Sequence, residues 1–195
     1  MQHISKLLAI LLLLSTQAFA EQPREATIDW QSPEEIATLI EFKLDEVNGE
    51  ITYGPNFAFS NDELAKNFSE IYLVRAIDHE GSDQYILYIT AQYDDKDWRA
   101  YDKAKIKDGS KVRLVSLSKD ENVCEDASCR YEERMALPLS FITFFDSASM
   151  GMKLTIDGNS SYDIVLPSSY FKAILNAAPE EELYDEPPVA QGQSI

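Results

Sequence analysis

The stretch IYLVRAIDHEGSDQYILYITAQY, residues 71–93, decides the fold. Two runs rich in Tyr, Ile, Val and Thr flank the polar turn His79–Asp83, and this pattern predicts an antiparallel hairpin of two central strands. The second run carries apolar side chains on both faces, with Tyr85, Leu87 and Ile89 on one and Ile86, Tyr88 and Thr90 on the other. We therefore expect both faces of this strand to be covered.

The same pattern recurs towards the C-terminus. Asp108-Gly109 and Asp157-Gly158 each separate two alternating segments, and Gly-containing turns of this kind are typical of hairpins. Short strands at this spacing indicate an antiparallel sandwich or barrel. We predict a mainly β fold, an antiparallel β-sandwich with two or three short helices.

Residues 33–47 allow two interpretations. Ser32, Pro33 and Glu35 resemble a capped helix start. Ile40, Phe42 and Leu44, however, alternate with charged residues and precede the hairpin signal Asn48-Gly49. We favour a strand from about Ile40 and keep the helix as the alternative.

Three other segments favour short helices. The first is SNDELAKNF, residues 60–68, which resembles a capped helix. A second helix is expected after Pro138, ending at Gly151. A third is expected after Pro167, capped by Ser168 or Ser169.

The ends of the chain differ in composition from the rest. Residues 1–20 have one Lys, an apolar run and Ala18-Phe19-Ala20, and they are typical of a secretory signal peptide. No later apolar stretch is long enough for a membrane span. We expect a flexible segment over 21–31, one domain over 32–177, and a disordered acidic tail over 178–195. The expected location is the periplasm or the extracellular space, in soluble form.

The charge of the chain restricts its partners. With 17 Lys and Arg against 34 Asp and Glu, the formal net charge is −17. An acidic surface repels the phosphates of nucleic acids and the headgroups of anionic lipids, so neither is an expected partner. The acidity indicates either simple solubility or a cationic partner or divalent ion.

The two cysteines, Cys124 and Cys129, favour a disulfide in an exported protein. A redox site or a zinc site is the alternative, but neighbouring acids raise a thiol pKa and further zinc ligands are scarce. Outside the signal peptide, His79 is the single histidine, which argues against His-based catalysis or metal binding. No cofactor is expected.

Two other clusters are candidate sites. Asp94, Asp95 and Asp97 are a weak calcium candidate, although the glycine and distal glutamate of an EF-hand loop are missing. Trp98, Arg99 and Tyr101 form a candidate binding surface for a sugar or a peptide, with the sandwich core as the alternative. Joint exposure of Trp98 and Tyr101 would distinguish the two.

Residues 71–177 resemble a group of uncharacterised exported β-rich proteins of Gram-negative bacteria. The resemblance rests on Trp98-Arg99-x-Tyr101, on Cys124-x4-Cys129-x-Tyr131-x-Glu133 and on Leu166-Pro167-x-x-Tyr170. It implies export and a β-rich fold but no activity. Some members of the group resemble lipoproteins, whereas this chain lacks the lipidated cysteine.

These observations predict a non-catalytic binding or interaction module of the cell envelope, whose partner is an envelope protein or a glycan. Enzyme activity is not expected, but two functions stay open as alternatives. One is a carboxylate-based glycan hydrolase, and the other is a structural subunit of an envelope assembly.

The signal peptide gives a direct prediction about the mature chain. Expression in a Gram-negative host should yield exported protein whose intact mass corresponds to a chain starting at Glu21. The variant Ala18→Lys should keep the longer mass, because signal peptidase requires small side chains near the cut. Full-length wild-type protein in the cytoplasm would contradict the prediction.

Overall fold

A computed structural model describes residues 28–45, 49–107, 111–125 and 128–177. The predicted signal peptide over 1–20, most of the predicted flexible segment 21–31, the predicted tail 178–195 and the predicted turn at Asp108-Gly109 lie outside the described residues. Trp30 is described, and its ring centroid lies 4.8 Å from that of Phe57 and 5.5 Å from that of Tyr170. The folded domain therefore begins before Ser32.

The larger of two antiparallel sheets contains the predicted central hairpin. Its strands, in spatial order, are β1 (Glu41–Asp45), β2 (Gly49–Tyr53), β3 (Phe68–Ile77), β4 (Asp83–Asp95), β8 (Ser128–Leu139) and β7 (Val115–Glu125). β3 pairs with β4 along its whole length, and Tyr72 lies directly opposite Tyr88. The hairpin is confirmed, and it occupies the centre of the sheet.

The smaller sheet has four strands, in the spatial order β10 (Ser161–Leu166), β9 (Met152–Asp157), β5 (Lys103–Ile106) and β6 (Lys111–Val112). The hairpin predicted around Asp108-Gly109 is short, because β6 has two residues and β7 then joins the other sheet. The hairpin around Asp157-Gly158 pairs from Met152 to Leu166. The mainly β, sandwich-like fold with antiparallel sheets is confirmed.

Four short α-helices and one 3₁₀ helix are described, more than the two or three expected. They are α1 (Pro33–Ala37), the 3₁₀ helix Phe57–Ser60, α2 (Asp62–Ala65), α3 (Phe141–Met150) and α4 (Ser168–Asn176). Both interpretations of residues 33–47 hold in part: Ser32 caps a single helical turn, and the favoured strand follows from Glu41. α3 ends at Gly151 as predicted, and Gly151 has a φ of +74°.

One cap prediction was wrong. Pro167 is the N-cap of α4, and neither Ser168 nor Ser169 caps the helix. The hydroxyl of Ser169 instead donates a hydrogen bond to the carbonyl oxygen of Trp30. That bond ties the start of α4 to the N-terminal segment.

The core lies on one face of the larger sheet. Leu73 and Leu87 pack there with Phe171 of α4 and Ile156 of β9, so the two long helices and the smaller sheet cover this face together. Burial of this apolar surface supplies most of the driving force for folding. None of the helices in the described part of the chain is long and apolar enough to cross a membrane.

Cys124 and Cys129 form the expected disulfide and lie opposite each other in the β7–β8 hairpin. The bond joins cysteines five positions apart, so the ring it closes is small. A small ring restricts few conformations of the unfolded chain.

We therefore predict a modest effect of reduction. The double variant Cys124→Ser/Cys129→Ser should lose about 2 kcal/mol of unfolding free energy and keep a cooperative transition. Urea unfolding followed by circular dichroism measures this. Complete loss of folding in the variant would show that the disulfide holds more than the local hairpin.

Candidate functional site

Trp98, Arg99 and Tyr101 follow β4, and they do not form one exposed surface. Tyr101 is 2% exposed and belongs to the core. Trp98 is half-buried against Tyr131, with ring centroids 4.5 Å apart. The Arg99 guanidinium lies 4.1 Å from the centre of the Tyr93 ring. The condition for the predicted surface, joint exposure of Trp98 and Tyr101, is therefore not met.

The buried carboxylate of Glu133 holds residues 98–101 in place from the core side of the sheet. It is 1% exposed and accepts hydrogen bonds from the Tyr93 hydroxyl (2.5 Å) and from the backbone N–H groups of Ala100 (2.9 Å) and Tyr101 (3.2 Å). The Lys119 ammonium lies 3.0 Å from it and compensates its charge. Burial, and next the hydrogen bond to Glu133, raise the pKa of Tyr93 above its usual range.

Residues of two of the motifs behind the family resemblance meet at this carboxylate. Trp98 packs on Tyr131, and the backbone of Tyr101 donates to Glu133. Ala100, between them, has a φ of +53°, a left-handed conformation that costs free energy in a non-glycine residue. Its bond to Glu133 compensates that cost, so these motif residues have a structural role.

The other candidate residues predicted from the sequence either pair with neighbouring residues or lie apart from one another. Asp94 pairs with Arg130 at 2.9 Å, and Asp95 lies 3.6 Å from Arg99. An oxygen of Asp97 accepts the backbone N–H of Trp98. In the described ranges these three carboxylates do not converge, and the one possible ligand group joins Glu121 to the two disulfide-bonded cysteines. His79 is exposed in the turn between β3 and β4.

The larger sheet has a second face, and a groove of about 1470 Å³ lies along it. All six strands contribute to its lining: Glu41, Lys43, Ile51, Tyr53, Glu70, Tyr72, Val74, Ala76, Gln84, Ile86, Tyr88, Thr90, Leu117 and Arg134. Residues before and after β1 and β2 form one wall: Ile28, Trp30, Leu39 and Phe59. Because one cavity contacts all six strands on this side, the face is concave.

The floor of the groove is apolar and aromatic at its centre. Tyr72 and Tyr88 are cross-strand partners, and so are Val74 and Ile86 one row away. The next row holds Glu70 and Thr90, and the Thr90 hydroxyl donates to the Glu70 carboxylate at 2.7 Å. Phe59 is 62% exposed on the wall. Exposed apolar side chains that gather in one concavity are typical of binding sites.

The sequence contains a signal for the groove, although its residues are not among the candidate site residues predicted from the motifs. Ile86, Tyr88 and Thr90 alternate with the core residues of β4, and their apolar character predicted a cover on both faces. Tyr72 and Val74 show the same pattern in β3. Within the described residues one face is covered and the other forms the groove.

Comparisons with known proteins gave no relative: no protein-family profile, no curated protein and no solved structure matches this chain. The family resemblance inferred from the motifs stays a prediction.

Two buried tyrosines beside Glu133 provide a matched test of the structural role. Tyr93→Phe removes a hydroxyl that donates to Glu133 and accepts from the Arg99 N–H, and should cost about 1 to 3 kcal/mol of stability. The Tyr101 hydroxyl is buried without a hydrogen-bond partner among the described residues, so Tyr101→Phe should be neutral or stabilising. Equal losses in both variants, measured by urea unfolding, would contradict this account.

Proposed function

We propose that the protein is a non-catalytic exported module of the cell envelope, periplasmic or secreted, and that it binds its ligand in the groove. The observation that carries the proposal is the groove of about 1470 Å³ over an apolar, aromatic sheet face. The predicted signal peptide and the disulfide agree with an oxidising compartment outside the cytoplasm.

The size of the groove favours a polymeric ligand over a small molecule. Pockets for small molecules measure about 300 to 1000 Å³ and enclose their ligand. The groove exceeds that range and is formed by an open sheet face, which suits a chain that lies across several strands. Neighbouring strands are about 4.8 Å apart, so contacts on four strands extend over about 15 Å of the sheet.

The positions of the described acids do not favour a glycan hydrolase. Among the described acids, Glu133 is the buried one, and Tyr93, Lys119 and two backbone N–H groups engage it on the core face. It therefore does not face the groove. The acids that line the groove are a different set and belong to the binding site.

The proposal is tested by filling the groove. Ala76 lies on its floor between Ile51 and Gln84, and Ala76→Trp adds a large side chain there without removing a core residue. The neutral solvatochromic dye Nile red should bind the mature wild-type chain with increased fluorescence, and this increase should fall by about half or more in Ala76→Trp. Aromatic residues are favourable in strands, so the melting temperature should change little.

Val165→Trp is the control, because Val165 is an exposed strand residue of the smaller sheet and does not line the groove. It should keep the wild-type dye signal. The same loss in both variants, or no loss in either, would remove the groove as the binding site.

A further inference from the structure

The charges in the groove indicate the chemistry of its ligand, an inference that rests on the function proposed above. Four acidic residues line the groove, Glu35, Glu41, Glu70 and Asp78, against the two basic residues Lys43 and Arg134. Both bases have partners within the sheet face. Arg134 lies 2.7 Å from Glu132, and the Lys43 ammonium lies 4.9 Å from the centre of the Tyr53 ring. The lining therefore has an excess of negative charge.

Two of the acids act on the aromatic centre of the groove. Burial, then the charge of Glu70, then the charge of Glu41 raise the pKa of Tyr72. The register agrees with this: Glu70 precedes Tyr72 by two residues on the same face of β3, and Glu41 pairs with Tyr53 on the strand next to β3, so both carboxylates line the groove with Tyr72. A cationic segment lying over Tyr72 would meet an aromatic ring, the carboxylate of Glu70 on the same strand and that of Glu41 two strands away.

The groove already contains one contact of this kind. Lys43 of β1 lies over the ring of Tyr53 on the neighbouring strand, in a cation–π arrangement. Tyr72 and Tyr88 offer a second pair of rings at the centre of the sheet, in the row next to the one in which Tyr53 pairs with Val74. An incoming lysine or arginine would find the same chemistry there.

We propose that the groove binds a cationic amphipathic segment of a polypeptide. Its apolar side chains contact Ile86 and the rings of Tyr72 and Tyr88, which are partly exposed, and its Lys or Arg side chains contact Glu41 and Glu70. An α-helix is about 10 to 12 Å wide and rises 1.5 Å per residue, so a groove of about 1470 Å³ corresponds to about ten helical residues.

Charge argues against two other occupants. The C-terminal tail, residues 178–195, has five acidic residues and no basic residue. The acids of the groove repel such a segment. A second copy of the chain also carries the net charge of −17, so self-association is opposed by repulsion.

The experiment measures the affinity of the mature chain for three synthetic helical peptides of equal length. The first carries Leu at i, i+3, i+4 and i+7 and Lys elsewhere, the second replaces Lys with Glu, and the third replaces Leu with Ser. The Leu/Lys peptide should bind at least tenfold more tightly than either of the others and should displace Nile red. Its affinity should fall with added salt, because screening weakens charge pairing.

The matched variants remove two charges inside the groove or two outside it. Glu41→Gln/Glu70→Gln should weaken binding of the Leu/Lys peptide by about tenfold at low salt. Asp146→Asn/Glu121→Gln changes two exposed acids that do not line the groove and should change affinity less than twofold. Glutamine at position 70 still accepts the Thr90 hydroxyl, so the sheet should stay intact.

Each other outcome overturns the inference in a distinguishable way. If the Leu/Glu peptide binds equally well and displaces Nile red, the groove is a binding site without preference for cations. If both double variants weaken binding equally, the peptide binds the general acidic surface. If a photo-crosslinker at position 76 of the mature full chain reacts with residues 178–195, the tail occupies the groove. If the mature wild-type chain does not bind Nile red, the proposed function itself is refuted.

Discussion

The rest of the structure depends on the hydrogen bonds made by the hydroxyl of Tyr170 in α4. It accepts the backbone N–H of Leu73 at 3.1 Å and donates to the carbonyl oxygen of Pro55 at 2.6 Å. β2 ends at Tyr53, so the chain leaves the sheet there, and the tyrosine hydroxyl takes the place of a strand partner for Leu73. A side chain at position 54 would lie 2.5 Å from the Tyr170 ring, which is why glycine is required there. The wall of the groove, Trp30 and the 3₁₀ helix with Phe59, depends on this contact.

The alternation of side chains in β8 separates the structural role from the binding role. Glu133 points to the core and holds the segment 98–101, whereas Glu132 and Arg134 lie on the groove face and pair with each other. Successive residues of a strand point to opposite faces, so a single position decides which role an acid has. The motifs found in the sequence belong to the core side, where their residues have the structural role. The groove side has no such compact signature, because its residues come from six strands.

Local signals predicted much of the fold. The β3–β4 hairpin, the β9–β10 hairpin, the end of α3 at Gly151 and the disulfide each depend on residues close together in the chain. The wrong or incomplete predictions depend on distant contacts. Ser169 bonds to Trp30 instead of capping α4, Tyr101 is buried because the smaller sheet covers it, and β7 crosses to the larger sheet. The groove belongs to this second class, since its concavity depends on the register of the whole sheet.

The acidity of the chain can select a particular partner only in the groove. A net charge of −17 attracts any cation, and at physiological salt this attraction is screened beyond about 8 Å. It increases the rate of encounter but does not select a partner. Selection requires carboxylates beside apolar surface, where a bound segment loses water and its charge must be compensated locally. Glu41 and Glu70, which line the groove together with Tyr72, provide that arrangement. The same residue types on the open surface, such as Asp146 on α3, do not, because water compensates a bound cation equally well there.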